Sequence, residues 1–314
     1  MTDVDAVDRA RYVGIDLGGT ATRFVSTDVQ GTVLRSKIAS TPSSGTVGEL
    51  GAFLVSAIDE LRGEDPVVAI GIGASGPISP DGIIRNPDTL PAFTGVDLPA
   101  MLSRVFSTVC LIDNDAVAAA LGESCAGAGQ GFENILMLTL GTGIGVSMLQ
   151  RGEPVRGSDG QHPEAGHMSI DGLAAPCYCG RDTCWEQAAS RTALQKASTA
   201  AVDAPSNSSR DIDEMAGRAA GGDPSAIRMF DEYGERLAAG AATLLGVYRP
   251  EVLILGGSGA VYFPYYRRAL QSALARLTGT FPPPTIAVAE HGEYGGAIGA
   301  AALARARRSP DMRP

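Results

Sequence analysis

Aromatic side chains are scarce in this sequence, at 5% of 314 residues, and there is a single tryptophan, Trp185. Basic residues are outnumbered as well. Lys+Arg number 25 against Asp+Glu 35, a formal net charge of −10. So acidic a chain offers no bulk positive potential, so neither nucleic acid nor an anionic membrane surface is an expected partner. No apolar run reaches the length of a membrane span. The leader MTDVDAVDRARY is polar and acidic and does not read as a signal peptide. The expected compartment is the cytoplasm. What the chain has in quantity is glycine, 40 residues, which together with few aromatics fits an α/β enzyme with many tight turns. Its length predicts one large or two medium domains with a real core.

Cysteine is also rare, five in all, and three are clustered. With one histidine they follow the spacing H-x9-C-x-C-x4-C: His167, Cys177, Cys179 and Cys184. A Cys₃His set closes a tetrahedral zinc shell and leaves no position for water, so it points to a structural metal. The other reading is a disulfide. A Cys-x-Cys bridge is strained, and nothing suggests an oxidising compartment. Cys110 and Cys125 lie in apolar surroundings as ordinary core thiols. Two carboxylates, Glu164 and Glu186, bracket the ligands, so a metal here pins a loop whose acidic and imidazole groups face something else.

Along the chain, Tyr12–Leu17, Ala21–Thr27 and 32–39 read as a three-stranded meander around the turn Gly18-Gly19-Thr20. A helix is expected over 46–62, where Leu50, Phe53, Leu54, Ala57, Ile58 and Leu61 recur at helical spacing. Val67–Gly73 reads as a strand buried on both faces. Residues 74–99 form a Pro/Gly/Asp-rich connection of binding-loop length. Val109–Asp113 is a strand running into Asn114-Asp115 and an alanine-rich helix, 116–126. The opening pattern then recurs as a strand over 134–140, the glycine turn Gly141–Gly145 and a return strand to Gln150. This repeat suggests a duplicated fold with a cleft between halves. Further helices are expected over 190–201, from Asp223-Pro224 to before Pro250, and over 295–307. Residues 202–210 read as a polar break, and strands are expected at 251–255 and 285–289.

Turns without side chains let backbone N–H groups approach an anion. The turns at Gly18–Thr20 and Gly141–Gly143 could hold phosphates of one nucleotide, with Asp16 placed for Mg²⁺. Each turn taken singly reads as a plain hairpin, and neither matches a P-loop or a dinucleotide fingerprint. The cluster Gly256–Gly259 follows a buried strand and could lie flat on a purine. Asp115 reads modestly as a helix N-cap beside Asn114. Strand ends in α/β sheets are also where ligands bind. A carboxylate there can accept a proton from a substrate hydroxyl, and Asn114 can both donate and accept, as polyol recognition requires.

The ordered set DLGGT, DNDAVAAALGE, GTGIG, EAGH, CYCG with CWE, ILGGSGA and GGAIGAAALA resembles the ROK family (repressors, open reading frames and sugar kinases) over residues 11–306. The resemblance implies the α/β actin-like ATPase (ribonuclease H-like) fold, two α/β domains closing over ATP and a hexose. The N-terminal domain is expected over 1–115, with the C-terminal helix, 295–314, packing back on it. The C-terminal domain is expected over 116–294, carrying the zinc site. The implied activity is ATP-dependent phosphorylation of a sugar hydroxyl, such as glucose to hexose 6-phosphate, with Asp115 as general base. Implied sugar contacts are Asn86, Asn114, Asp115, Glu164, His167 and Glu186. Implied ATP and Mg²⁺ contacts are Asp16, Gly18, Gly19, Thr20, Gly141, Thr142, Gly143, Gly256 and Gly257. The implied cofactors are ATP, Mg²⁺ and a structural Zn²⁺ on His167, Cys177, Cys179 and Cys184. The expected assembly is a homo-oligomer, a dimer.

Repressor members carry a helix-turn-helix before the first strand, and only eleven residues precede Tyr12, which favours the glucokinase-like kinase branch. The chain departs from the family pattern at His162-Pro163, before the sugar-facing Glu164, at Thr183 and at Ala21. Alternative expectations are a kinase of a C7-cyclitol or an N-acetylhexosamine, or a sugar sensor without catalysis.

Overall fold

A computed structural model describes residues 9–172, 175–203 and 206–308. Strands β1 (Arg11–Leu17), β2 (Ala21–Thr27) and β3 (Val33–Ser40) form the antiparallel meander, with Asp16 opposite Arg23 across the first glycine turn. Strands β4 (Val67–Ala74) and β5 (Val109–Asn114) add in parallel, giving the order β3-β2-β1-β4-β5. On one side lies α1 (Val47–Arg62), started by a reciprocal capping box between Thr46 and Glu49. Its Leu50, Leu54, Ala57, Ile58 and Leu61 join Val13, Ile15, Ile70 and Ile72 in one core. Each of the buried Leu, Ile and Val side chains contributes about 1.5–3 kcal/mol. The helix α2 (Leu98–Phe106) closes the same core at the end of the long 74–99 connection. Asp97 caps it and Pro99 sits in its first turn, a start signal that reads in sequence as more loop.

The other side of the sheet carries α9 (Gly295–Arg308), which packs on β1, β4 and α3 (Asp115–Ala126). Small residues make this approach possible. A Cβ on Gly71 would lie 1.8 Å from the Ala300 carbonyl, and one on Gly299 1.6 Å from that of Ala118. Two helices with alanine and glycine at the crossing come within backbone contact, and a single methyl there would push them apart.

The second sheet contains β6 (Ile135–Leu140), β7 (Ile144–Gln150), β8 (Glu153–Pro154), β9 (Val252–Gly256) and β10 (Thr285–Val288), in the order β10-β9-β6-β7-β8. Taken from its β8 edge, it repeats the first sheet strand for strand, with β6 in the place of β1. The recurrence of strand, glycine turn and strand in the sequence is thus a duplication of topology, that of the actin-like ATPase fold. The helices of this half are α4 (Trp185–Ala189), α5 (Arg191–Ala201), α6 (Ser209–Ala220), α7 (Pro224–Tyr248) and α8 (Phe263–Leu277).

Asp223 and Pro224 start α7 as expected, and it stops at Arg249, held in the left-handed conformation before Pro250. Phe230, Leu237, Ala241, Leu244 and Leu245 face inward, whereas Ile227 is 41% exposed. The polar stretch before α6 is organised by Asp211. Its carboxylate accepts from the Ser206 hydroxyl, the Thr199 hydroxyl at 2.6 Å and the amides of Ser206 and Asn207, which hold its pKa down at about 2.

Contacts divide the chain into two compact units. The first comprises Met1–Glu133, Ser147–Pro163 and Ala289–Pro314, and the second Asn134–Val146 and Glu164–Val288. The boundary expected at Asp115 therefore falls inside the first unit, because α3 is packed against α9 along Ala118 and Gly122. Residues 309–314 of the expected terminal helix lie outside the described residues. Among the described residues, no helix is long and apolar enough to cross a membrane.

Candidate active site and metal centre

Trp185 anchors the cysteine stretch of the second unit. It is fully buried, its Nε1 donates to the Arg236 carbonyl at 3.0 Å, and its ring lies where Gly240 has no side chain. The Trp185 amide bonds to the Met168 carbonyl at 2.9 Å and Ile170 to Thr183 at 2.9 Å, which ties the 3₁₀ turn Ala165–His167 to the run before α4. A tight turn between Cys177 and Gly180 carries Cys177 and Cys179. The result brings one atom each from His167, Cys177, Cys179 and Cys184 within 4.8 Å of one another.

His167 Nδ1 stands 3.5 Å from Cys177 Sγ, and Cys179 Sγ 3.2 Å from Cys184 Sγ. That sulfur separation is far beyond a disulfide bond of about 2.0 Å, and all three cysteines are free. Burial pushes the Cys184 thiol up to about 12, while its hydrogen bond to Cys179 lowers the latter. A tetrahedral shell with Zn–S bonds of about 2.3 Å separates its ligand atoms by about 3.7 Å, so the four donors fit zinc.

Two carboxylates border this centre. Glu164 is exposed at the head of the 3₁₀ turn, its carbonyl accepting from the His167 amide at 3.1 Å. Glu186 is buried in the first turn of α4 and accepts from the Ile144 amide at 3.2 Å. Against His167 stands Tyr178, which nothing in the sequence pattern singles out. Its hydroxyl is 2.9 Å from His167 Nε2, and the two rings meet edge-on at 90° with centroids 5.0 Å apart. Desolvation of the hydroxyl, then the charges of Glu186 and Glu164, raise the pKa of this phenol.

Glycine turns adjoin this border. Gly141 meets nothing within 4 Å on its side-chain side, and Thr142 is exposed, so the first part of the turn is open. Gly143 is filled from the other side by the Glu186 carboxylate. Gly257 adopts φ +75°, and a Cβ there would meet the Leu140 backbone at 2.7 Å. Gly259 donates to the Leu140 carbonyl at 2.8 Å. The clusters 141–143 and 256–259 thus stand side by side at the ends of β6 and β9.

In the first unit, Asn114 rather than Asp115 caps α3. Its Oδ1 accepts from the Ala116 amide at 2.8 Å, and Asp115 is the first helical residue. Asp115 Oδ1 also accepts from Ala116, at 2.9 Å, and Oδ2 accepts from the Ser75 hydroxyl at 2.8 Å. Ser75, at the end of β4, is a second residue that the sequence reading missed. Asp16 lies nearby, one residue before the end of β1. Burial and the neighbouring negative charge of Asp115 raise its pKa to about 7, with Arg23, 3.9 Å away, opposing. Gly296 leaves the room that the Asp16 carboxyl occupies.

Gly18 and Gly19 continue from Asp16. Thr41 braces this turn, bonding to the Gly18 carbonyl at 2.6 Å and the Thr20 carbonyl at 3.0 Å, and Gly19 and Thr20 are exposed. Asn86 braces the 74–99 loop. It donates to the Gly76 carbonyl at 2.8 Å and accepts from the Thr89 amide at 3.1 Å. A cavity of about 310 Å³ opens beside Asn114, bordered by Ser79, Asp113, Arg156, Gln161 and His162. Arg156 forks onto Asp113 there, and nothing in the spacing of these residues announces it.

The ROK family model matches residues 12–307. A glucokinase of Pyrobaculum calidifontis is 33% identical over 94% of this chain and 95% of its own length. The solved ROK hexokinase of Thermus thermophilus superposes with a TM-score of 0.82 at 31% identity, covering 95% of this chain and 99% of that one. A ROK family glucokinase of Streptomyces griseus, solved in complex with glucose and AMPPNP, gives a TM-score of 0.78 at 28% identity, covering 94% and 99%.

Proposed function

The chain belongs to the ROK family and is an ATP-dependent sugar kinase, and we propose that it phosphorylates a hexose such as glucose to the hexose 6-phosphate, with Asp115 as general base. The observation that carries this reading is the Asp115 carboxylate, oriented by the Ser75 hydroxyl and the Ala116 amide at the head of α3. Phosphoryl transfer is mostly positioning and charge stabilisation. Asp115 takes the proton of the acceptor hydroxyl as it attacks, a contribution of roughly 10²–10⁴-fold. Asn114, Glu164, His167 and Glu186 hold acceptor hydroxyls in this reading. Asn86 acts by fixing the loop backbone at Gly76.

The glycine clusters at 18–20, 141–143 and 256–257 receive ATP. Asp16 holds Mg²⁺, which fits a carboxyl crowded by a second negative charge, and the ion supplies charge neutralisation at the phosphates. His167, Cys177, Cys179 and Cys184 hold one Zn²⁺, which ties the loop bearing Glu164 to α4 bearing Glu186.

The cavity beside Asn114 favours a second acceptor class, an N-acetylhexosamine or a C7-cyclitol, whose extra bulk it has room to take. An ATP-consumption assay against hexoses, N-acetylhexosamines and C7-cyclitols tests both readings. ADP release is expected to be low alone and to rise at least about tenfold with the right acceptor, as water exclusion on binding requires. Equal rates with and without every acceptor would overturn the kinase reading.

A further inference from the structure

Asn114 stands at the end of β5, the outer strand of the first sheet, which has β4 on one side only. Its backbone amide is satisfied by a side chain, donating to Asp113 Oδ1 at 2.8 Å. That carboxylate is buried, 8% exposed, where a charge is costly unless it is paired. Arg156 supplies the pairing. Its Nη1 donates to the same Oδ1 at 3.2 Å and to the Gly160 carbonyl at 3.2 Å, and its Nη2 bonds to Oδ2. Arg156 therefore aims Oδ1 at the Asn114 amide while it closes its own loop. A second contact holds the far end of that loop, where Gln161 donates to the Ile78 carbonyl. The cavity of about 310 Å³ is lined by both of these residues and by Asn114.

The head of α3 is thus held by two separate sets of bonds. Asp115 is oriented by the Ser75 hydroxyl at 2.8 Å and the Ala116 amide at 2.9 Å, and neither bond involves Arg156 or Asp113. Asn114 depends on that pair through its backbone. Its Oδ1 is taken up by the helix cap, so Nδ2 is the donor left without a hydrogen bond among the described residues.

We propose that Arg156 is a positioning residue of the acceptor site: through Asp113 it fixes the Asn114 backbone, and with it the direction of the Asn114 Nδ2 donor. The inference rests on the sugar-kinase reading and deepens it, since Asn114 is an acceptor contact in that reading. A guanidinium suits the task because its planar fork sets the angle of a carboxylate as well as its distance, which the point charge of a lysine does not. The two sets of bonds then govern two kinetic constants. Loss of the fork loosens Asn114 and weakens acceptor binding, while Asp115 keeps both of its donors and the chemical step is spared.

The test uses the full-length protein and a double-mutant cycle of Arg156→Lys, Asp113→Asn and the two combined. Arg156→Lys keeps a cation beside the buried carboxylate, and Asp113→Asn leaves a side chain that is 34% exposed, so no variant strands a buried charge. With the panel acceptor of highest kcat/KM, Arg156→Lys is expected to raise acceptor KM about 3- to 10-fold and to keep kcat within about twofold of wild type. The double variant should match the weaker-binding single variant, because the two residues act as one path. An unchanged acceptor KM in Arg156→Lys overturns the proposal. So does a fall in kcat as large as the rise in KM, the pattern of a general disturbance of the site. Effects that multiply in the double variant also overturn it, since Arg156 would then reach the acceptor by another route. Calorimetric binding of glucose without ATP separates this result from the kinase reading. If wild type shows no acceptor-dependent ATP use, that reading fails, and Arg156 is then judged on binding. Weaker glucose binding by Arg156→Lys supports the positioning role, whereas equal binding or no binding by wild type overturns it.

Discussion

Glu186 occupies the space that Gly143 leaves empty. Its Oε2 accepts from the Ile144 amide at 3.2 Å, and a Cβ at position 143 would fall 2.0 Å from that oxygen. The glycine turn and the carboxylate that follows the last cysteine are therefore one structural unit. Gly143→Ala must move a buried carboxylate off its amide donor. The expected cost is about 1–3 kcal/mol of stability from overpacking, with a rise in acceptor KM of at least tenfold, read by urea denaturation and steady-state kinetics. A variant with wild-type KM would show that Glu186 need not stand where it does.

Asp115→Asn separates catalysis from capping more cleanly than the sequence suggested, because Asn114 already provides the cap. Folding should be unaffected. Turnover is expected to fall about 10²–10⁴-fold with little change in acceptor KM, the pattern of an interaction used in the transition state. Near-wild-type turnover would remove Asp115 as the base.

Asp16 carries a pH dependence of definite sign. Its pKa rises from 3.8 to about 7 on folding. Between those values the folded state holds a proton that the unfolded chain has lost, so stability without Mg²⁺ declines as pH climbs from about 4 to 7. The melting temperature of the metal-free protein should fall over that range, and Asp16→Asn should flatten the decline. Mg²⁺ competes with the same proton, so its apparent affinity should strengthen from pH 6 to pH 8. A pH-independent Mg²⁺ affinity would count against Asp16 as the ligand.

Removal of zinc should act through order rather than chemistry. Elemental analysis is expected to find about one zinc per chain. Cys177→Ala or Cys179→Ala should lose it, lower the melting temperature and abolish most activity, since Glu164 and Glu186 lose their common support. Binding should release protons, because the buried Cys184 thiol, raised to about 12, must give up its own. Active protein without zinc would refute this.

Most of the scaffold was legible in local patterns. The alternation around DLGGT marked β1 and β2, and Asp223-Pro224 and Pro250 bounded α7 closely. The clustering of His167, Cys177, Cys179 and Cys184 was readable because their spacing is local. Some helices escaped for equally local reasons. Pro99 opens α2 inside a proline-rich connection, and α6 begins in a polar run whose order comes from Asp211. The contacts that shape the site were out of reach, since Gly143 and Glu186, or Ser75 and Asp115, meet only once the sheets have formed.

Trp185 gives the protein a built-in optical probe. It is the only indole in the chain, fully buried, and joined directly to Cys184 of the His/Cys cluster. Intrinsic fluorescence excited at the indole band therefore reports one location, the foot of the metal loop, with no need for labelling. Emission should be blue-shifted in the intact loop and move to the red when that loop opens, so a fluorimeter can follow the state of the loop in the same cuvette as catalysis.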